Sequence, residues 1–296
     1  MQTLKFYSQL LKFRLSATVV FSAAMGYLLG VNDFNTHEFI LLIIGGFLVT
    51  GSANGFNQIL EKEYDRLMTR TANRPLPMGN LTINQALVFS TIIGLLGLYC
   101  LNFINSDNGF FGVLSKSSFF GLISILLYVL SYTPLKRLST ISIFVGAIPG
   151  AIPFLLGWVA ATDQFEIAAG TLFAIQFFWQ FPHFIAIAWV LDTEYKKAGF
   201  KMIFGGEKGK YPALISVFTS LLMTFISIVP FIYEIKDLSL SITAFIPVLG
   251  LGIWFTFKSY YLFKNIDDKS AKKLMIASFI YLPLMQIIYV LDKYLF

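Results

Sequence analysis

Residues 140–160 read TISIFVGAIPGAIPFLLGWVA, a run without one charged side chain. Wound as a helix at about 1.5 Å per residue, it reaches roughly 30 Å, the depth of a bilayer's hydrocarbon core. Eight further runs of this kind lie near 15–32, 39–58, 83–104, 110–131, 166–190, 212–233, 239–262 and 274–294. The run near 110–131 is the most interrupted, because Ser115, Lys116, Ser117 and Ser118 break its start. The segments of about ten alternating residues that mark a membrane barrel are missing from the pattern. The runs predict an all-α, polytopic membrane protein with nine transmembrane helices.

Composition agrees. A chain of 296 residues would ordinarily make about two soluble domains. Here 56% of residues are apolar, 17% aromatic (32 are Phe) and only 13% charged, with a mean hydropathy of +0.72. A soluble domain carries about 25% charge, so this chain could not cover a globular surface. Disordered, collagenous and disulfide-scaffold classes are excluded too, since hydrophobicity is high and Cys100 is the single cysteine. Residues 1–296 are read as one integral membrane domain.

Lys and Arg mark the cytoplasmic loops of membrane helices. With the N-terminus inside, the inner segments hold Lys5, Lys12, Arg14; Lys62, Arg66, Arg70, Arg74; and Lys136, Arg137. The next two hold Lys196, Lys197, Lys201, Lys208, Lys210; and Lys258, Lys264, Lys269, Lys272, Lys273. Only Lys116, Lys236 and Lys293 fall outside, 3 of the 22 basic residues, while the 16 acidic residues divide equally. This alternation predicts a cytoplasmic N-terminus. The net charge of +6 is then topological and calls for no nucleic-acid partner. Lys5 to Arg14 leads straight into the first run without a small-residue cleavage site, so no cleavable signal peptide is expected. A bacterial plasma (inner) membrane is the simpler home.

Chemistry gathers in the inner segments. The second run ends Asn57-Gln58-Ile59-Leu60-Glu61-Lys62-Glu63-Tyr64-Asp65. On a helix Asn57, Glu61 and Asp65 recur every four residues and share one face over about 12 Å. One amide and two carboxylates are oxygen ligands of the kind Mg²⁺ takes alongside water and phosphate. A solvated helix end paired with Lys62 and Arg66 is the other reading. Arg66, Arg70 and Arg74 follow, in a loop stiffened by Pro75 and Pro77. Arg offers a planar fork to phosphate oxygens that Lys does not, and the chain otherwise prefers Lys. The loop reads as a diphosphate clamp or as a merely topogenic segment. A second acidic stretch, Asp192-Thr193-Glu194, ends the sixth run, and Tyr132-Thr133-Pro134-Leu135-Lys136-Arg137 links the fourth and fifth. Asp192 and Glu194 would diverge on a helix and converge only if the helix has ended.

An N-x-x-x-[DE]-x-x-x-D face, an Arg-rich loop and a second acidic loop four spans later resemble the UbiA superfamily of intramembrane prenyltransferases. Within it, several stretches are similar to the protohaem IX farnesyltransferase (haem O synthase) family. They are Met68 to Leu76, Tyr132-Thr133 with Lys136-Arg137, Gly146 to Pro153 with Gly157-Trp158, Pro182-His183-Phe184, and Tyr195 with Ala198-Gly199 and Met202. Lys12-Phe13-Arg14 looks like that family's entry motif, with Phe where Pro is usual. Two departures stand out: Glu61 replaces the commoner Asp, and Lys196 occupies the place of a second D-x-x-x-D carboxylate.

The resemblance implies a UbiA-type bundle that transfers farnesyl from farnesyl diphosphate to a vinyl group of haem B, giving haem O. Asn57, Glu61 and Asp65, with Asp192 and Glu194 opposite, would hold Mg²⁺. Arg14, Arg66, Arg70, Arg74, Lys136 and Arg137 would take the diphosphate at the cytoplasmic rim. Haem B would be a substrate, not a cofactor. His183 would meet it, either as an axial ligand or by shaping the pocket; a histidine merely hydrogen-bonded within the bundle is the alternative. His37, in an outer loop, reads as solvated. The resemblance leaves room for a haem A synthase or oxidase-assembly partner. Two other readings stay open: transfer to an aromatic or quinone precursor, and a transporter or channel gated by Arg70 and Asp65. No convincing inverted repeat supports the latter. The stripe Gly146, Gly150 and Gly157 reads as close helix packing rather than substrate contact.

Overall fold

The computed structural model describes residues 2–105, 113–233 and 235–296. Among them are nine helices long and apolar enough to cross a membrane, as the apolar runs predict. A short α1 (Gln2–Leu11) precedes α2 (Phe13–Gly30), separated by Lys12 in a left-handed conformation. Then come α3 (Thr36–Leu60), the single turn α4 (Lys62–Asp65) and α5 (Ile83–Asn102). The fourth span is composite: α6 (Lys116–Leu126), a π-helical turn Leu127–Tyr132, and α7 (Thr133–Leu138). It is followed by α8 (Ser142–Thr162), α9 (Ile167–Val190) and the short α10 (Asp192–Lys197). The chain ends in α11 (Lys210–Ile232), α12 (Ile242–Asn265) and α13 (Asp268–Leu295).

The fourth span differs from its expected bounds. Residues 110–112 lie outside the described residues, and the helix starts at Lys116 because Ser115 caps it: its side chain accepts from the Ser118 N–H. Ser115 is thus a start signal rather than an interruption. At the other end the span runs on to Leu138, so Tyr132 to Arg137, expected between spans, are helical. Comparable caps start α3 at Asn35 and α5 at Thr82, the latter a reciprocal capping box with Gln85.

Small residues let the spans approach closely. α2 packs along α8 and α3 along α5. A Cβ on Gly157 would lie 1.9 Å from the Ala23 carbonyl oxygen, and one on Gly26 would lie 2.1 Å from that of Phe154. Without aqueous solvent to drive helices together, such van der Waals fit is a main source of cohesion. In the stripe read from sequence, Gly150 abuts the Gln180 amide and Gly146 abuts the Tyr132 ring, which is packing as expected. The largest apolar core joins α8, α9, α11, α12 and α13 around Trp158, Trp189, Phe255 and Tyr281. Leu95, Phe218 and Ile246 stand exposed on the outside of the bundle, a surface that suits lipid.

Side-chain contacts sort the segments between spans onto two rims. At one, Lys12 meets Asn57, Lys136 meets Glu61, Thr69 meets Glu194 and Lys208 meets Asp268. At the other, Lys116 pairs with Asp163, and Lys293 Nζ donates to the Leu29 and Val31 carbonyls. The two rims match the basic-rich and basic-poor sets of loops.

Candidate active site

The helix that carries Asn57, Glu61 and Asp65 bends without losing their alignment. α3 ends at Leu60 and Glu61 leaves helical geometry, with φ −96° and ψ 5°. Yet the Glu61 N–H still donates to Asn57 O (2.9 Å) and the Asp65 N–H to Glu61 O (2.7 Å). The four-residue spacing therefore survives the break. All three side chains are buried, at 1%, 6% and 0% exposure, and all line one cavity of about 190 Å³.

Each polar group there is matched by a cation from elsewhere in the chain. Lys136 Nζ donates to Glu61 Oε1 at 2.8 Å and sits 4.4 Å from the centre of the Tyr132 ring. Arg74 Nη1 donates to Asp65 Oδ2 at 2.6 Å. Lys12 Nζ donates to Asn57 Oδ1 at 3.1 Å. Arg70 also lines the cavity and has no ion-pair partner among the described residues. Tyr128, Tyr132, Tyr195, Phe200, Met68 and Met202 supply the aromatic and apolar wall. Burial pushes the Asp65 carboxyl above its ordinary value, with Arg74 pulling the other way. Burial, reinforced by Arg74 and Lys136, lowers the Lys12 ammonium to about 7.

Two observations bear on a metal. Asp65 Oδ1 is buried without a hydrogen-bond partner, although a buried carboxylate oxygen normally has one. The ligand-type side chains that share its cavity, Asn57 and Glu61, also offer oxygen. No three His, Cys, Asp or Glu side chains come together among the described residues. The set is thus two carboxylates and an amide, the sparse arrangement that fits Mg²⁺.

Several residues expected at the diphosphate or metal have other partners. Arg66 is paired with Glu63 at 2.7 Å and donates to Pro77 O. Arg14 is exposed outside the cavity lining. Arg137, also exposed, stacks 4.2 Å from the Tyr64 ring centre. Asp192 pairs with Lys196 at 2.9 Å, because α10 sets them four residues apart on one face. Glu194 is turned to the Arg-rich loop: it accepts from the Thr69 N–H at 2.5 Å and from Lys197 Nζ at 2.6 Å. These contacts, Lys197 first, hold its carboxyl below the ordinary range. Asp192 and Glu194 thus lie on a helix and do not line the cavity, because local lysines and a neighbouring loop claim them.

His183 is buried in α9. It stacks on Trp179 with ring centres 4.4 Å apart, and its Nδ1 is 2.8 Å from Ser278 Oγ. Ser278 Oγ gives its one hydrogen to Met275 O at 2.6 Å, so Nδ1 must be the donor and Nε2 carries the lone pair. His183 does not line the cavity of the carboxylates. His37 is exposed in the first turn of α3.

Sequence reading leaves out Tyr128, Thr133 and Lys12. Thr133 and Lys12 fall within motifs quoted above. For Tyr128 the signal was a period of four, since Tyr128, Tyr132 and Lys136 recur every four residues and line the cavity together. A larger, open cavity of about 350 Å³ lies at the opposite rim, lined by Asp33, Trp158, Glu166, Lys236 and Asp237 among others. Among the described residues it holds no buried ion pair.

Residues 19–282 match the UbiA prenyltransferase family. The chain belongs to this family. A protoheme IX farnesyltransferase from Flavobacterium psychrophilum is 47% identical over 292 residues, 98% of this chain and 94% of that one. The human mitochondrial protoheme IX farnesyltransferase is 32% identical over 281 residues, 94% of this chain and 60% of the human protein. Among solved structures, a digeranylgeranylglyceryl phosphate synthase superposes with a TM-score of 0.81 at 23% identity, over the full length of both chains. A UbiA homologue from Archaeoglobus fulgidus bound to DMAPP and Mg²⁺ gives 0.68 at 16% identity, covering 96% of this chain and 98% of that one. The UbiA fold is common to all of them, and with it the all-helical, nine-span architecture of this member.

Proposed function

We propose that this UbiA member is an intramembrane prenyltransferase that transfers the farnesyl group of farnesyl diphosphate to a vinyl group of haem B, giving haem O and diphosphate. The observation that carries this reading is the buried cluster Asn57–Glu61–Asp65 with Lys136 and Arg74 in one cavity. The relatives' name and identity supply the substrates.

The geometry supports a division of labour. Arg70, Arg74, Lys136 and Lys12 surround the head group with positive charge in a cavity that burial keeps low in dielectric, where such charge counts most. Asn57, Glu61 and Asp65 would hold Mg²⁺, which when bound supplies further charge neutralisation to the diphosphate oxygens. The carbon–oxygen bond of the allylic diphosphate breaks and its electron pair leaves with the diphosphate. Tyr128, Tyr132 and Phe200 offer ring faces to the allylic cation and exclude water from it. The π electrons of the haem vinyl group form the new carbon–carbon bond. Water then adds to the cation left beside the porphyrin and loses a proton, which yields the hydroxyethylfarnesyl group. His183, with Nε2 free to accept, is the haem contact in this reading. Asp192 and Glu194 act at one remove from the head group, and Arg14, Arg66 and Arg137 meet the diphosphate only as it approaches along the rim.

The basic rim supports a cytoplasmic N-terminus and a site at the cytoplasmic side of a bacterial inner membrane. A haem A synthase or oxidase-assembly protein that takes up the product belongs to the same reading. The test is direct: purified protein in detergent is incubated with haem B, farnesyl diphosphate and Mg²⁺, and haem O is sought by mass spectrometry. Haem O is the expected product. Prenylated 4-hydroxybenzoate with no haem O would move the assignment to an aromatic acceptor.

A further inference from the structure

Asn57 is the one uncharged member of the oxygen cluster, and an amide has two unlike ends. Which end meets the cavity decides whether Asn57 offers a lone pair or an N–H. Its Nδ2 lies 3.2 Å from Thr133 Oγ1, across 76 residues of sequence, and its Oδ1 lies 3.1 Å from Lys12 Nζ. Thr133 Oγ1 in turn donates to Tyr128 O at 2.8 Å. Asn57 and Thr133 are 1% and 3% exposed.

We propose that Thr133 is a positioning residue whose hydroxyl fixes the Asn57 amide with Oδ1 toward the cavity. A hydroxyl has one hydrogen and two lone pairs. The hydrogen of Thr133 is committed to the Tyr128 carbonyl, so only a lone pair faces Asn57, and only the NH₂ end satisfies it. Turning the amide over would set Oδ1 against that lone pair, a repulsive contact. Oδ1 keeps a second lone pair beyond the one used by Lys12.

The Tyr128 carbonyl is also held by the turn. Leu127–Tyr132 is π-helical, and the Thr133 N–H bonds back to Tyr128 O, as a π turn requires. The Thr133 hydroxyl adds a second donor to the same oxygen. One side chain thereby braces the turn that brings Tyr128, Tyr132 and Lys136 to the cavity and orients the amide opposite them. This role rests on the prenyl-transfer reading, in which Asn57 Oδ1 serves the cation that accompanies the diphosphate.

The experiment measures equilibrium binding of unreactive farnesyl thiodiphosphate to the purified full chain at fixed Mg²⁺, together with the Mg²⁺ concentration that gives half-saturation. Thr133→Val keeps the shape but removes the hydroxyl. It should weaken binding about tenfold, the scale seen when a group orienting a metal ligand is lost, and raise the Mg²⁺ requirement in step. Thr133→Ser should restore both. In an Asn57→Ala background Thr133→Val should have no further effect. If Thr133→Val is not monodisperse, Thr133→Ala replaces it under the same criteria. Unchanged binding in the Val variant would overturn the proposal, and so would an equal loss in the Asn57→Ala background, which would make the hydroxyl only a brace. A wild-type protein that does not bind farnesyl thiodiphosphate at all would overturn the prenyl-transfer reading, and the positioning role with it.

Discussion

Lys136 Nζ and Glu61 Oε1 stand 2.8 Å apart, an ion pair between side chains only 11% and 7% exposed and 75 residues apart in sequence. Burying two charges costs more than their attraction returns unless the geometry is good, and removing one partner leaves the other uncompensated. Lys136→Met should therefore destabilise the protein by about 3 kcal/mol, read as a lowered midpoint of thermal unfolding in detergent. Adding Glu61→Leu should recover most of that loss while leaving turnover undetectable. If the double variant stayed as unstable as the single one, the pair would be structural in its own right and not kept for chemistry.

Asp65 combines an Arg74 partner on Oδ2 with an unpartnered, buried Oδ1. Asp65→Asn keeps the shape and removes the charge. Turnover should fall by at least about a hundredfold, the effect of losing one electrostatic group where charge develops, with expression and helicity unchanged. Retained activity would remove Asp65 from the metal-binding set. Chelation of Mg²⁺ by EDTA should give the same loss in the wild-type protein and little further loss in the variant.

Glu194 ties α10 to the loop that carries Arg70 and Arg74. Glu194→Ala should speed hydrogen exchange of the Thr69 amide about tenfold and raise KM for farnesyl diphosphate more than it lowers kcat. Because the folded carboxyl titrates below its ordinary range, the tie is complete at neutral pH. It is lost only as acidity reaches that depressed value. An unchanged exchange rate in the Ala variant, with kcat reduced instead, would point to a direct role at the head group.

His183 donates from Nδ1 to Ser278 and leaves Nε2 to accept. His183→Ala should shift the Soret band of added haem B and weaken haem binding severalfold. Ser278→Ala, which frees the ring to change tautomer, should do so to a smaller degree. Identical haem spectra in wild type and His183→Ala would rule out ligation of the iron.

The parts of this protein governed by local rules were legible in one dimension. Desolvation of the backbone demands apolar runs of bilayer length, so all nine spans were readable to within a few residues at most ends; positive charge marks alternate loops. A four-residue period put Asn57, Glu61 and Asp65 on one face, and that alignment outlasts the break at Glu61. Local propensity also explains one of the two poorly placed starts, since Ser115 can interrupt a run or cap a helix, and only the backbone shows which; the other is α13, which begins at Asp268, ahead of the expected 274, behind its Asp267 cap.

Tertiary packing decided the rest. Whether an arginine reaches a cavity depends on what else lies within its length: Arg74 meets Asp65, whereas Arg66 meets Glu63 and Arg137 meets Tyr64. Glu194 serves the loop at Thr69 because α10 approaches it, across 125 residues of chain. The contacts of Lys136 with Glu61 and of Thr133 with Asn57 join α7 to the end of α3, and α7 is set in register by a π-helical turn that residue types alone do not announce. Sequence thus determined which groups this membrane protein carries to one rim. How closely the helices pack, through glycines such as Gly157 against α2, decided which of those groups meet, because hydrogen bonds act over about 3 Å and sequence spacing does not resolve that distance between separate helices.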